Sequence, residues 1–255
     1  MRLPFHKNVN FTGRDRELAE IHQTLHSTDS TISQQRMMVL HGLGGIGKTQ
    51  LAIQYAYSHQ KDYTSVWWVN AATTQTLTQG FLGIAQRLLS HHTTNTTGPS
   101  LKSDNAQIAL ELGLPPDTVN QIGELNTSRD TTGIVVNAVI SWFAAEDNNQ
   151  WLLIFDNYDD LGSVNIYDFL HPSSSGSVLI TSRSRDTCRL GKELEVQEVT
   201  EDEALEILRK SAHRDMVSFQ KGMYLSHSNE SVHQKPSPNL GLGWASGLNI
   251  FRIEE

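Results

Sequence analysis

The chemistry this chain can do begins with a glycine-rich run that ends in Lys-Thr. Gly42, Gly47, Lys48 and Thr49 fit the pattern G-x-x-x-x-G-K-[ST] without a mismatch, with Gly44 and Gly45 between them. A polyphosphate needs several donors close together, and glycine lets the main chain curl tightly enough to present its amides. A helix starting near Gly47 would add its unpaired N–H groups and its positive end. In such a loop Lys48 reaches the β- and γ-phosphates as a point charge, and the Thr49 hydroxyl ligates Mg²⁺. Ile46 and Gln50 complete the residues expected along the phosphate chain.

A phosphate loop needs a metal partner on a neighbouring strand. Asp156 ends the apolar run Trp151 to Phe155, placing a carboxylate at a strand's C-terminal edge, where it can act on the Mg²⁺ with Thr49. The competing reading is an acid that opens a turn, since Asn157, Asp159 and Asp160 also favour turns. Asn157 stands near where many hydrolysing enzymes carry a second acid. It can orient water but cannot accept its proton, so hydrolysis is expected to be slow. Asp159 or Asp160 could substitute, though spacing selects neither. Arg183 follows the strand Ser177 to Ser182 and should emerge on the loop's edge, as a γ-phosphate sensor or as a surface arginine paired with an acid.

The elements that must hold these groups are legible in the pattern. Met37 to Leu40 is a short apolar run, the mark of a strand buried on both faces, and Leu51, Ala52, Tyr55 and Ala56 follow at helical spacing. Leu18, Ile21 and Leu25 mark an earlier amphipathic helix, with residues 27–35 a polar connector. Tyr63 to Asn70 reads as a strand, and Leu77, Phe81, Ile84, Ala85 and Leu88 as a helix. Residues 91–103 read as a loop, 104–113 as a weak helix broken at Pro115-Pro116, and 126–133 as polar. A helix is expected from Ile134, a strand over Lys192 to Val196, and a capped helix from Thr200 with Glu203 closing the box. Strands alternating with helices predict an α/β fold with a parallel sheet and helices on both faces. His41 reads as a packed strand end, and Trp67 and Trp68 as core.

Length and charge bound the function. The 255 residues suffice for one large or two small domains, and a net charge of -8 argues against a nucleic-acid partner. Cys188 stands alone, which suits a reducing compartment, and neither an apolar leader nor a run of membrane-spanning length is present. The expectation is a cytoplasmic protein with no membrane partner.

Taken in order, Phe11 to Arg14, the Gly42–Thr49 loop, Leu152 to Asp160, Val178 to Arg183, and Val199 to Ala212 with its Glu203-Ala204 pair resemble the NB-ARC domain of STAND-class signalling NTPases. The likeness is to the fungal type that often carries tetratricopeptide repeats. The resemblance implies a P-loop NTPase acting as an ADP/ATP switch, with self-association or an effector as partner. It also assigns Gly13 and Arg14 to contacts near the adenine and Arg183 to the sensor position. It divides the chain into a lead-in (1–10), an NTPase core (11–213) and an irregular tail (214–255) unlike the family. The family's Gly-x-Pro helical subdomain and winged helix are not found, so a fragment lacking its lid is expected. The alternatives are a slow Mg-dependent ATP hydrolase and an inert truncated product.

Overall fold

In the computed structural model, residues 3–26, 35–95, 109–110, 112–114, 118–120, 124–172 and 175–212 are described. Most of the 27–35 connector and of the 104–113 helix, and the whole 214–255 tail, lie outside them, although Ala109 and Leu110 are helical.

Helix α1 spans Asp15–Leu25 and strand β1 Arg36–His41; α2 (Lys48–Ser58), β2 (Ser65–Asn70) and α3 (Thr74–Asn95) follow. Helix α4 covers Arg129–Phe143, then β3 (Trp151–Asp156), β4 (Ser177–Ser182), β5 (Lys192–Glu195) and α5 (Glu201–Ala212). The five strands form one parallel sheet in the order β2-β3-β4-β1-β5. Residues up to Leu208 make one compact unit.

The apolar runs in β1, β3 and β4 follow from burial on both sides. Alternation sends Leu152 and Ile154 into a core with Leu51, Tyr55, Ile21 and Leu25 of α1 and α2. Leu153 and Phe155 enter the opposite core, built with Phe81 and Leu88 of α3 and with Val139 and Phe143 of α4. Helices therefore cover both faces, as the alternation of elements predicts. Trp67 joins the second core and Trp68 packs partly buried on the first, and His41 is a buried strand end.

Element ends differ from expectation at several places, each for a local reason. Helix α3 runs on to Asn95, into the stretch expected to be loop, because Leu88 and Leu89 keep a buried stripe facing the sheet. Helix α4 begins a turn before Ile134: Ser128 caps it, its side chain accepting from the Thr131 amide while the Thr131 hydroxyl accepts from the Ser128 amide. Strand β2 starts only at Ser65, after a short 3-10 turn over Gln60–Asp62. The lead-in is irregular but pinned, since Leu3 is buried and the Phe5 carbonyl accepts from Tyr57 at 2.8 Å.

Candidate functional site

All parallel strands deliver their C-terminal ends to one edge of the sheet, and the register sets which residues stand level there. Leu40 pairs with Thr181, Phe155 with Ile180, and Asn70 with Asp156, so β1, β4, β3 and β2 finish together. The Gly-rich loop leaves β1 at this edge and enters α2, whose cap is Gly47 at φ 100°. Gly42 is required by a close approach as well as by its φ of 144°: a Cβ there would lie 2.6 Å from the Val196 carbonyl oxygen. Ile46 anchors the loop by packing on the α1/α2 core. Gly44, Gly45, Gly47 and Gln50 line a cleft of about 250 Å³, faced by Asn157, Asp159 and Arg183.

Asp156 and Thr49 meet as the loop chemistry requires. The Thr49 hydroxyl donates to Asp156 Oδ1 at 2.9 Å, and the Thr181 hydroxyl donates to the same oxygen at 2.6 Å. Strand β4 lies between β3 and β1, so Thr181 is the bridge that carries the acid across to the loop. Burial pushes the Asp156 carboxyl above its ordinary range, against the pull of the two hydroxyls and of Lys48.

Lys48 does not project freely from the loop. It is buried, and its Nζ donates to the Gly42 and Leu43 carbonyls at 2.9 and 2.8 Å. Burial holds its pKa below the usual lysine value, with the Asp159 carboxylate opposing. A polyphosphate would give this ammonium the anion it lacks, and a divalent cation would do the same for Asp156. The donor set fits Mg²⁺: a hydroxyl and a carboxylate are hard oxygen ligands for a cation that keeps waters and phosphate in its other positions.

Asn157 has a backbone reason to be there. Its φ is 64°, a left-handed conformation that asparagine tolerates better than most side chains, and its amide donates to Thr181 Oγ1 at 3.0 Å. Of the two acids offered as substitutes for a base, Asp160 is used by its turn, accepting from the Gly162 and Ser163 amides and the Ser163 hydroxyl. Asp159 takes Arg183 in a fork: the backbone amide donates to Oδ1 and Nε to Oδ2, both at 2.6 Å. Burial would raise Asp159, but these bonds win and hold it below the usual carboxylate range. Arg183 thus stands at the cleft mouth, 68% exposed, already paired with an acid.

Gly13 and Arg14 do not line this cleft. They sit beyond Gly42, where Arg14 donates from its amide to Glu203 Oε1 (3.1 Å), from Nη1 to Glu17 (2.7 Å) and from Nη2 to the Gln197 carbonyl (2.6 Å). A Cβ on Gly13 would collide with the Glu203 carboxylate. Glu203 also accepts from the Thr200 amide and hydroxyl, which with Arg14 keeps it below its ordinary pKa. Because Val196 donates to the His41 carbonyl at 2.8 Å, these bonds tie the starts of α1 and α5 to the base of the loop. Sequence reasoning missed Thr181 and Gln197, and it offered an acid as partner for Arg183 without selecting Asp159; no spacing rule marks any of the three. Glu203 was visible as a capping residue and in the Glu203-Ala204 pair of the resemblance, but not as the partner of Arg14.

A larger cavity, about 800 Å³, opens at the far ends of the strands between Tyr63, Trp67, Arg87 and Trp142. No glycine is among its lining residues, unlike the smaller cleft, so chemistry rather than size selects the latter.

The sheet order, the loop and the acid two strands away define a P-loop NTPase. Residues 10–180 match the family of the AAA ATPase domain, and the chain belongs to that family. It is 25% identical over 228 residues to a nucleotide-binding leucine-rich repeat (NLR)-like protein of Hyaloscypha variabilis. That alignment covers 82% of this chain and 19% of the relative, so the chain spans about a fifth of that protein's length. Among solved structures, Cdc6p from Pyrobaculum aerophilum superposes with a TM-score of 0.47 at 13% identity, covering 83% of this chain and 52% of that one. Among the described residues, no helix is long and apolar enough to cross a membrane.

Proposed function

We propose that this module is a nucleotide-dependent regulatory switch of the STAND class, close to the NB-ARC type, in which bound ADP or ATP governs association with a second copy or an effector. The observation that carries the nucleotide site is the Thr49–Asp156 pair at 2.9 Å, set behind a glycine loop at the start of a helix. The relative's printed name, a nucleotide-binding leucine-rich repeat (NLR)-like protein, supports the STAND-class part of the reading.

In this reading the loop amides and Lys48 hold the β- and γ-phosphates, and Lys48 exchanges the Gly42 and Leu43 carbonyls for phosphate oxygens. Thr49 and Asp156 would hold Mg²⁺, whose contribution when bound is to neutralise phosphate charge. Arg183 senses the γ-phosphate only by loosening from Asp159, so the fork acts as a latch between two states of the cleft mouth. Gly13 and Arg14 brace the wall beside Gly42 on the adenine side. Turnover is slow, because Asn157 cannot take a proton.

Mass spectrometry of nucleotide retained through mild purification tests the switch reading, together with steady-state phosphate release. Expected are bound ADP or ATP and a rate below about one per minute, a typical turnover of ~10 s⁻¹ reduced ~10³-fold for want of a base. Sustained release of several phosphates per second would move the protein to the turnover enzymes.

A further inference from the structure

A second cluster of ligand-type side chains lies at the opposite end of α2 from the phosphate loop. His22, in the last turn of α1, His59, which caps α2, and Asp62, in the 3-10 turn that follows, bring one potential ligand atom each within 4.8 Å of one another. The His22 and His59 rings stack with centroids 4.0 Å apart and planes 19° apart, and His26 stacks on His22 at 5.1 Å. Asp62 Oδ2 lies 3.0 Å from His59 Nδ1.

Three features of this cluster call for a cation. His22 Nδ1 is buried and has no hydrogen-bond partner among the described residues, which is costly for a ring nitrogen unless something fills its lone pair or takes its proton. Both helices end here, and His26 and His59 cap them through amides bonded to the His22 and Tyr55 carbonyls, so the negative ends of two helix dipoles converge on the site. The cluster is also seated on a fixed floor: Tyr55 packs against His59 with centroids 4.8 Å apart, and its hydroxyl is bonded to that of Tyr63 at 2.6 Å. Two imidazoles and a carboxylate on preset elements make an N₂O donor set of the kind that binds zinc, with water free to take the remaining position.

We propose that His22, His59 and Asp62 form a divalent transition-metal site of the Zn²⁺ class that fastens the C-terminal end of α1 to that of α2. The site is structural in character, one helix length from the phosphates, and it stiffens the element that carries Lys48 and Thr49. It does not depend on the switch reading.

A second convergence, His41, Cys188 and Glu193 beside β1, provides the internal rival. The test is calorimetric titration of Zn²⁺ into the chelator-stripped full chain, nucleotide-free, with Co²⁺ as a spectroscopic substitute. One Zn²⁺ per chain is expected, with a raised melting temperature. His22→Ala and Asp62→Asn should each weaken binding more than about tenfold, and Cys188→Ser should leave it unchanged. Asp62 lies in a short surface turn, so its variant decides the matter even if His22→Ala fails to fold. The Co²⁺ complex should show ligand-field bands without thiolate charge transfer. Three outcomes would overturn the site: no saturable Zn²⁺ uptake, uptake indifferent to Asp62→Asn, or a thiolate band lost in Cys188→Ser.

Discussion

At the scale of single residues, the cleft sets two buried charges against their surroundings. Lys48 lies on loop carbonyls, and its replacement by alanine removes a buried ammonium together with two hydrogen bonds. The opposing effects leave the stability of the nucleotide-free protein within about 1 kcal/mol of wild type, readable in a denaturant melt. Asp156 gives a sharper prediction. A folded-state pKa raised above the unfolded value means that the acid contributes stability below the unfolded pKa and loses it as pH rises through the folded one. Asp156→Asn keeps the acceptor for Thr49 and Thr181 while removing the charge. Without nucleotide it should therefore melt above wild type at pH 7, with the gap narrowing as the pH falls towards the ordinary carboxylate value of about 4 and closed below it. In the same variant Mg-ATP binding should weaken more than Mg-free ADP binding. Equal losses in the two titrations would return Asp156 to the role of a turn acid.

Among elements, β4 matters more than its lack of a catalytic side chain suggests. It separates the loop strand from the acid strand, and Thr181 spans that gap by donating to Asp156 while accepting from the Asn157 amide. Thr181→Val leaves the Asn157 amide without its acceptor and removes one hydroxyl from the buried carboxylate. It should cost about 1–3 kcal/mol and loosen Mg-dependent nucleotide binding, whereas Thr181→Ser should restore both. Urea melts and titrations of the pair give the comparison, and a valine variant of wild-type stability would mean the bridge is incidental. The elements also mark where sequence was readable. Runs such as Trp151 to Asp156 and Met37 to Leu40 declare buried strands without help, and the glycine loop needs only its own spacing. The start of α4 at Ser128 was hidden because a Ser–Thr capping box resembles any polar linker. The end of α3 was hidden because His91 to Asn95 include no apolar residue to extend the stripe of Leu88 and Leu89. Thr181 and the Arg183–Asp159 fork depend on strand order, which only the folded sheet supplies.

Taken whole, residues up to Leu208 hold an NTPase core in which both helical layers converge on a sheet edge carrying the loop, the acid and the arginine. The wall beyond Gly42 is stitched by Arg14, which ties residues far apart in sequence through Gln197 and Glu203. Such long-range polar closure leaves no periodic trace, so Gly13 and Arg14 could be singled out only by resemblance. A ligand that binds the folded chain alone should stabilise the whole core: at 100 times the dissociation constant the gain is about 2.7 kcal/mol, or roughly 5–10 °C in melting temperature.

Calorimetric titration of Mg-ATP and of ADP into the wild-type chain and into Lys48→Ala tests the central claim most directly. The nucleotide site built on Lys48, Thr49 and Asp156 predicts saturable binding of one nucleotide per chain for wild type. For the variant it predicts a loss of more than about tenfold, since a charge-assisted bond contributes ~1.5–3 kcal/mol. Wild-type affinity in a correctly folded Lys48→Ala protein would contradict it.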